Sequence, residues 1–404
     1  MTNSIGPRRA TLAVRVLALG GCGIGCTEFA SMGLLPQIGE ELIPGFASHP
    51  EASIAQAGQL VSVYALGVVV GAPTLAALTS RMSRSTLAMW LLVWFVAATA
   101  ASAFMPTFET TMVIRFLAGL PHGAYFGVAS LLAAQIMGPG KQGKGIALAL
   151  SGLTVANIVG VPAVTWVGHT FDWRVAYLSV AIIFLVTLSM GYLVLPRFPG
   201  DPTRSAKAEL KAFRNGQLWL LIAIGCIGFG GFFAVYSYLS ELAVRLTHLD
   251  GSTVPWLLAV VGIGMTIGNL VGGRVSDPHP VGSLMTGFGS YMGALVLFSL
   301  TAANPVGLFV SAGLVGATSS LLMVPVQTRL ISAAGNSPLM GAATNHAAFN
   351  VGNALGAALG GAVIAAGLGY RAPGWTGLTL AALGFIGLVI SLAWERKAGR
   401  LVRD

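Results

Sequence analysis

The chain has 404 residues, of which 55% are hydrophobic and only 9% are charged. Soluble domains carry roughly a quarter of their residues as charged side chains, so this composition excludes a soluble enzyme and predicts a polytopic membrane protein. The net charge of +9 does not indicate nucleic acid binding, because the basic residues lie in short gaps between apolar segments.

The first apolar segment follows Arg8 and Arg9 and continues to Leu35. It is longer than the core of a signal peptide, which has about 7–15 residues, so it is predicted to remain as the first transmembrane helix. Glu28 lies well inside this segment. The three cysteines of the chain also lie in apolar segments, where packing is a better interpretation than a disulfide or a metal site.

Twelve apolar segments follow one another along the chain, each close to the roughly 20 residues that a helix needs to cross the hydrocarbon core. The sequence lacks the short alternating strands of a membrane barrel. It therefore predicts an all-α membrane protein with twelve transmembrane helices. The predicted spans are 11–35, 56–79, 86–104, 110–136, 146–167, 174–195, 218–240, 255–275, 281–302, 306–328, 340–366 and 375–393.

The lysines and arginines are distributed unevenly between the two sides that these spans define. Seventeen lie at the N-terminus, near the gaps after spans 2, 4, 6, 8 and 10, and in the tail, whereas the opposite gaps hold Arg174, Arg245 and Arg371. Cytoplasmic loops are enriched in basic residues. The bias therefore predicts a multi-pass protein of the plasma (inner) membrane with both termini in the cytoplasm.

The two halves of the chain share a pattern of glycine and asparagine. Asn157 in span 5 corresponds to Asn353 in span 11 at an offset of 196, and Gly119 in span 4 corresponds to Gly316 in span 10 at an offset of 197. A nearly constant offset indicates two pseudo-symmetric bundles of six helices, an architecture in which transporters bind substrate between the halves.

Segment 196–217 lies between spans 6 and 7 and is rich in proline and basic residues. It is predicted to be a cytoplasmic linker between an N-terminal bundle, 1–195, and a C-terminal bundle with a short cytoplasmic tail, 218–404. Spans 3, 6, 9 and 12 have no charged residue in their apolar stretches and are predicted to face lipid. The polar residues are concentrated in the other spans, where they are expected to face the protein interior.

Three polar side chains in spans 1 and 4 are candidates for proton coupling. At 1.5 Å per residue, Glu28 lies about 10 Å and Arg115 about 8 Å from the ends of their spans on the same side of the membrane. Their opposite charges and similar depths predict a pair, and His122 lies deeper on the same face as Arg115. A carboxyl group between the opposing effects of burial and a neighbouring arginine can take up and release a proton. The alternatives are a static ion pair and, for His122, a hydrogen-bonded packing residue.

The predicted cavity between the halves combines aromatic and carboxamide side chains. Apolar walls with a few polar groups suit neutral or amphipathic small molecules. The asparagines could also bind the hydroxyl groups of a sugar or nucleoside, and each aromatic side chain could serve helix packing instead. The candidate substrate-binding residues are Phe126, Asn157, Phe233, Tyr236, Tyr238, Asn350 and Asn353.

Three segments carry distinctive motifs: TEFASMGLLPQIGEEL in span 1, RFLAGLPHGAYFGVAS in span 4 and GLTVANIVGVPAVTWVGHTFDWRVAYL across spans 5 and 6. These segments resemble the major facilitator superfamily, and the resemblance covers nearly the whole chain. Within that superfamily the chain is similar to the twelve-span drug:proton antiporters, including arabinose-efflux and chloramphenicol-resistance permeases.

This resemblance implies roles for two groups of residues. It implies proton coupling by Arg115, which occupies the arginine motif of span 4, and by Glu28, which occupies the position of the span 1 acid. The glycine and proline pattern of antiporters in span 5 falls on Gly152, Gly160 and Pro162.

The loop motif that this family carries after span 2, Gly-x-x-x-Asp-Arg-x-Gly-Arg, is degenerate here. Arg81 and Arg84 are kept, but Ser80 stands where the acid belongs. The second copy keeps Gly273 and Asp277, with a proline in place of the arginine. These departures argue against a complete charge relay at this loop and leave the predicted fold unchanged.

The sequence thus predicts a secondary transporter, not an enzyme. The leading interpretation is proton-coupled efflux of a small amphipathic molecule or drug by alternating access, in a monomer that contacts lipid. The sequence contains no Walker-type loop for ATP, and no cofactor, metal or nucleic acid is predicted. The alternatives are export of a sugar or nucleoside and, in another class, a membrane sensor or scaffold without transport.

Overall fold

The computed structural model describes residues 6–79, 81–138, 142–200, 213–276, 280–335 and 338–397. Within these ranges the chain forms helices and no strand. Twelve helices there are long and apolar enough to cross a membrane, which confirms the predicted fold class and the number of spans. The predicted motif residue Asp277 lies outside the described residues.

We number the membrane-crossing helices α1 to α12 in chain order. A π-helical turn, Ala156–Gly160, interrupts α5, and non-helical residues divide α7 and α10. A short helix, Leu35–Leu42, follows α1. The helices are α1 (Pro7–Gly33), α2 (Pro50–Leu78), α3 (Arg84–Ser102), α4 (Phe108–Met137), α5 (Gln142–Val155 and Val161–Thr170), α6 (Trp173–Val194), α7 (Gly216–Tyr236 and Leu239–Arg245), α8 (Val254–Ser276), α9 (Pro280–Thr301), α10 (Pro305–Leu321 and Met323–Ala334), α11 (Pro338–Ala365) and α12 (Ala372–Lys397).

Polar side chains fix the starts of several helices. Asp172, Asn215 and Asn304 precede α6, α7 and α10, and each accepts a hydrogen bond from a backbone N–H two residues later. Helix α4 begins with a capping box formed by Thr107 and Thr110. These caps satisfy N–H groups that have no partner inside the helix, so the turns between spans are specified locally.

The two halves of the molecule, α1–α6 and α7–α12, meet along two pairs of helices. Helix α2 packs against α11, and α5 packs against α8. In the first pair, Ser62 Oγ donates a hydrogen bond to the Ala354 carbonyl at 3.2 Å. In the second pair, a Cβ atom at Gly262 would collide with the main-chain oxygen of Asn157. Glycine therefore permits the close approach of α8 to α5.

Burial divides the helices into an inner and an outer set. In the most apolar stretch of α1 and of α7, 72% of the residues are buried, whereas the value is 33% for α6 and α12. The side chains that α6 and α12 expose include Leu193 and Ile386, which are large and apolar. This exposure fits helices that contact lipid, and it leaves α1 and α7 at the centre of the molecule.

Candidate functional site

Glu28 lies at the contact between the two halves and is 3% exposed. Asn353 of α11 donates a hydrogen bond from Nδ2 to Glu28 Oε1 at 3.0 Å. On the side of its own half, Glu28 Oε2 lies 4.0 Å from Nε2 of His122. The carboxyl group therefore contacts both halves at once, so a change in its charge acts directly on their contact.

Arg115 is held by α1 through the residue that precedes Glu28. Its two terminal nitrogens donate hydrogen bonds to the side-chain oxygen and the carbonyl oxygen of Thr27, each at 3.1 Å. The guanidinium also lies over the ring of Tyr64, 4.3 Å from its centroid, and 5.5 Å from that of Tyr177. The predicted ion pair with Glu28 is not formed, because the guanidinium turns instead to the Thr27 carbonyl and two aromatic rings.

His122 connects the buried carboxyl group to a tyrosine hydroxyl. Its Nδ1 lies 3.1 Å from the hydroxyl oxygen of Tyr64 in α2. Together with the contact to Glu28, this forms a continuous polar chain of Tyr64, His122, Glu28 and Asn353. The chain extends from α2 through α4 and α1 to α11, and its groups can pass a proton only if small movements close the 4.0 Å step.

Helix α11 presents His346, Asn350 and Asn353 at spacings of four and three residues, so they share one face. Asn350 donates a hydrogen bond from Nδ2 to the carbonyl oxygen of His346 at 3.0 Å. The side-chain oxygens of Asn350 and Asn353 are buried and accept no hydrogen bond from the residues that the structure describes, and the same is true of Asn157 in α5. Such acceptors are available to the N–H or O–H groups of a ligand.

Aromatic rings cover the polar chain on both sides. Phe126 of α4 stacks on His346 of α11, with ring centroids 5.4 Å apart. Phe29, which follows Glu28, lies parallel to Phe233 at 6.4 Å and edge-on to Tyr236 at 5.6 Å. Three of the predicted aromatic residues, Phe126, Phe233 and Tyr236, therefore lie around the contact between the halves.

Tyr238, the fourth predicted aromatic residue, does not lie with these three. Its hydroxyl donates a hydrogen bond to the carbonyl of Ala357 at 2.6 Å, and its ring packs against Gly58 of α2 and Gly361 of α11. The side chain is 1% exposed. These contacts place Tyr238 in helix packing at the interruption of α7, apart from the other aromatic candidates.

The span 5 motif residues lie along the contact of α5 with α1. Gly152 packs directly on the carbonyl of Ala18, and Gly160 packs on the sulfur of Cys26. Pro162 follows the π-helical turn. The sequence signal identified this close helix packing, although the π turn itself has no distinctive residue pattern.

The loop motif residues are spread over the end of the molecule that carries the termini. Arg81 is exposed, and Arg84 donates a hydrogen bond to Gln135 Oε1 at 3.2 Å. Gly273 lies in α8. Among the described residues, no group of three or more histidine, cysteine, aspartate and glutamate side chains could hold a metal ion.

Sequence reasoning missed several members of the site, namely Thr27, Phe29, Tyr64 and Tyr177. Thr27 and Phe29 flank Glu28 in α1, whereas Tyr64 and Tyr177 reach the buried charges only through the packing of α2 on α4 and of α6 on α1. A tyrosine in an otherwise apolar span is the one signal that could have indicated Tyr64.

The sequence model of the protein family described as Major Facilitator Superfamily matches residues 17–345. The chain belongs to the major facilitator superfamily. The inner membrane transport protein YdhP of Escherichia coli K12 is 37% identical over 354 residues, which cover 88% of this chain and 89% of YdhP. The chloramphenicol resistance protein of Streptomyces lividans is 29% identical over 382 residues, which cover 93% of this chain and 95% of that protein.

The solved structure of the nucleoside transporter NupG has the same fold, with a TM-score of 0.71 over 95% of this chain and 99% of NupG, at 13% identity. These similarities confirm the resemblance found in the motifs. This member of the major facilitator superfamily is therefore a multi-pass membrane transporter of a small molecule and not an enzyme.

Proposed function

We propose that this superfamily member exports small amphipathic molecules in exchange for protons, by alternating access. The observation that carries the proposal is the position of Glu28, a buried carboxyl group bonded to Asn353 across the contact between the halves. A titratable group inside a membrane has a large cost in free energy. Its position at the contact that would change during alternating access gives this cost a functional explanation.

The proposed coupling follows from the strength of that hydrogen bond. An ionised Glu28 accepts a charge-assisted bond from Asn353, which is roughly twice as strong as a neutral one. A proton on the carboxyl group weakens this link between α1 and α11. Protonation would therefore bias the equilibrium between two arrangements of the halves, and His122 is the group best placed to exchange the proton with Glu28.

The substrate class follows from the surroundings of the carboxyl group. Phe29, Phe126 and Phe233 supply apolar area, while the free oxygens of Asn350 and Asn353 accept hydrogen bonds. This combination suits a molecule with an aromatic or aliphatic body and a few N–H or O–H donors. The chloramphenicol resistance protein among the relatives supports a drug of this kind.

A sugar or nucleoside is the second candidate, and the unpartnered asparagine oxygens are the observation that favours it. Its hydroxyl groups would use these acceptors, whereas a purely lipophilic drug would leave them unpaired at a cost of about 1–3 kcal/mol each.

The test uses the purified protein in liposomes under an imposed pH gradient. We expect uphill movement of an amphipathic antibiotic when the gradient is present and its loss when a proton ionophore collapses the gradient. A radiolabelled nucleoside in parallel vesicles distinguishes the two substrate classes. Transport that does not depend on the gradient would contradict proton coupling, and no transport of either probe would place the substrate outside both proposed classes.

We further propose that the protein acts as a monomer with both termini in the cytoplasm, and that the bundles 1–195 and 218–404 move as units joined by the linker 196–217. The uneven distribution of basic residues supports the orientation. Reporter fusions at residues 205 and 404 should both give cytoplasmic signals, and a periplasmic signal from either fusion would contradict this topology.

A further inference from the structure

A cleft of about 500 Å³ lies between the halves on the face of the molecule opposite the termini. We call it the interhalf cleft. The short helix Leu35–Leu42 contributes Gln37 and Glu40 from the first half, and the second segment of α7, Leu239–Arg245, contributes Ser240 and Glu241 from the other half. A molecule bound there would contact both halves, at a distance from the polar chain around Glu28.

The hydrogen bonds of the first half leave only an acceptor free. Gln37 Nε2 lies 2.6 Å from His169 Nδ1, and His169 Nε2 lies 3.1 Å from the carbonyl of Gly33. A carbonyl only accepts, so the single N–H of the neutral imidazole is at Nε2, and Nδ1 accepts from Gln37. The remaining oxygen of Gln37, Oε1, is buried and accepts no hydrogen bond from any described residue.

The second half offers a free hydroxyl group. Ser240 is 2% exposed and lines the cleft, and its Oγ has no hydrogen-bond partner among the described residues. Arg245 forms an ion pair with Glu241 one turn earlier. Within the described chain Glu40 forms no hydrogen bond and no direct ion pair, although its charge lies near enough to act on both Arg245 and Glu241.

Among the described residues, the groups of the cleft that lack a hydrogen-bond partner are therefore a carboxylate, a carboxamide oxygen and a hydroxyl oxygen, and a ligand reaches the last two after a small rotation of their side chains. All three can accept hydrogen bonds, and together they carry one negative charge. A primary ammonium group is their complement, with three N–H donors and one positive charge. Calcium would need six to eight oxygen ligands, more than these residues supply.

We propose that the interhalf cleft binds the primary ammonium group of a small organic amine. The bound amine bridges Glu40 and Gln37 of one half and Ser240 of the other. Because it contacts both halves as they are arranged in this structure, it stabilises that arrangement. The site is separate from the proposed coupling at Glu28 and does not depend on it.

The test measures binding of butylammonium to the purified full-length protein in detergent. Butan-1-ol, which lacks the charge, and butyltrimethylammonium, which lacks N–H donors, are the matched probes. To exclude binding at the central site, all titrations are repeated in Glu28→Gln. We expect butylammonium to bind and the two matched probes to bind at least about tenfold more weakly, the difference expected for charge-assisted hydrogen bonds.

The variants locate the site. Glu40→Gln should weaken butylammonium binding by about tenfold, and Ser240→Ala by a smaller factor of about threefold. Glu109→Gln removes an exposed carboxylate on the same face but outside the cleft and should leave binding unchanged. Equal affinities of Glu40→Gln and Glu109→Gln, or equal binding of the alcohol and the amine, would overturn the proposal. Neither result bears on transport driven by a pH gradient.

Discussion

Helices α4 and α10 occupy equivalent places in the two halves but carry different chemistry. Each packs on the second helix of its half, α2 or α8. At the repeat offset of 197, Arg115 corresponds to Ala312 and His122 to Ser319. Ala312 is 2% exposed, and the Ser319 hydroxyl donates a hydrogen bond to the carbonyl oxygen of Gly316 in the same helix at 3.1 Å.

The comparison shows that this helix position can be packed without charge. A small alanine and a self-satisfied serine fill it in the second half, so the fold does not require a buried guanidinium and an imidazole there. The extra desolvation cost in the first half therefore supports a functional role for Arg115 and His122. The second half instead contributes carboxamides and aromatic rings. The hydrogen bond from Asn353 to Glu28 connects these groups with the charged residues of the first half.

Removing the titratable charge of the first half should have the largest effect on export. Glu28→Gln keeps the shape of the side chain and its contact with Asn353 but cannot take up or release a proton. We expect gradient-driven export to be lost, while substrate binding measured by titration in detergent remains.

Glu109→Gln is the control for this variant, since it removes an exposed carboxylate far from the polar chain. Export at the wild-type rate by folded Glu28→Gln would make the glutamate structural and would transfer the search for the coupling group to His122.

Arg115→Ala makes α4 resemble α10 at the equivalent position. We expect export to fall by at least about tenfold, equivalent to about 1.4 kcal/mol. The thermal midpoint should fall by only a few degrees, because interhelical hydrogen bonds in membranes contribute about 0.6–2 kcal/mol. Both quantities are measured on the same purified sample. A collapse of stability with unchanged specific export in the folded fraction would assign the arginine to packing.

Asn353→Ala removes the hydrogen bond that Asn353 of the second half donates to Glu28 of the first half. We expect a loss of coupling of about three- to tenfold, which corresponds to about 0.6–1.4 kcal/mol for an interhelical hydrogen bond in a membrane. Paired spin labels on α1 and α11 should show a distance distribution that depends less on pH than in the wild type. Ser299→Ala in α9 is the matched control, because the buried Ser299 hydroxyl donates to the carbonyl of Leu295 in its own helix and lies outside the proposed site. The same effect from both variants would argue against the bond across the halves.

Gly262→Ala tests the uncharged part of the contact and should have the smallest effect on coupling. The added methyl group collides with the backbone of α5 at Asn157, so we expect a loss of about 1–3 kcal/mol in stability. Gly289→Ala in α9 is the control, since open space surrounds its position. The readout is the thermal midpoint in detergent, and equal midpoints for the two variants would contradict the close contact of α5 and α8.

The twelve spans were predictable because the apolar segments are long and are separated by short polar gaps. The place of Arg115 was only partly predictable. Depth along a helix follows from the rise per residue, but the direction of a side chain around the helix does not, since spans that are apolar on all sides leave no periodic signal. The contact with Thr27 and the ring of Tyr64 therefore appeared only in the structure.

Tyr238 illustrates a second limit of the sequence. An aromatic residue near the end of span 7 fits a ligand cavity as well as a packing position, and only the glycines at 58 and 361 decide between them. These glycines are far away in sequence, so local pattern could not indicate that their missing side chains make room for the tyrosine ring.

The π-helical turn Ala156–Gly160 divides α5 into two rods with different neighbours. The rod Gln142–Val155 packs on α1 and α4 of its own half. The turn and the rod Val161–Thr170 pack on α8 of the other half and also on α1 of their own half, and this second rod contacts α6 as well. A π turn departs from the regular bonding pattern of the helix. Bending at that turn would let the first rod follow its own half while the second rod stays against α8. The energy barrier between the two arrangements would then depend on the bending stiffness of five residues and on the sliding of the second rod over α1 and α6.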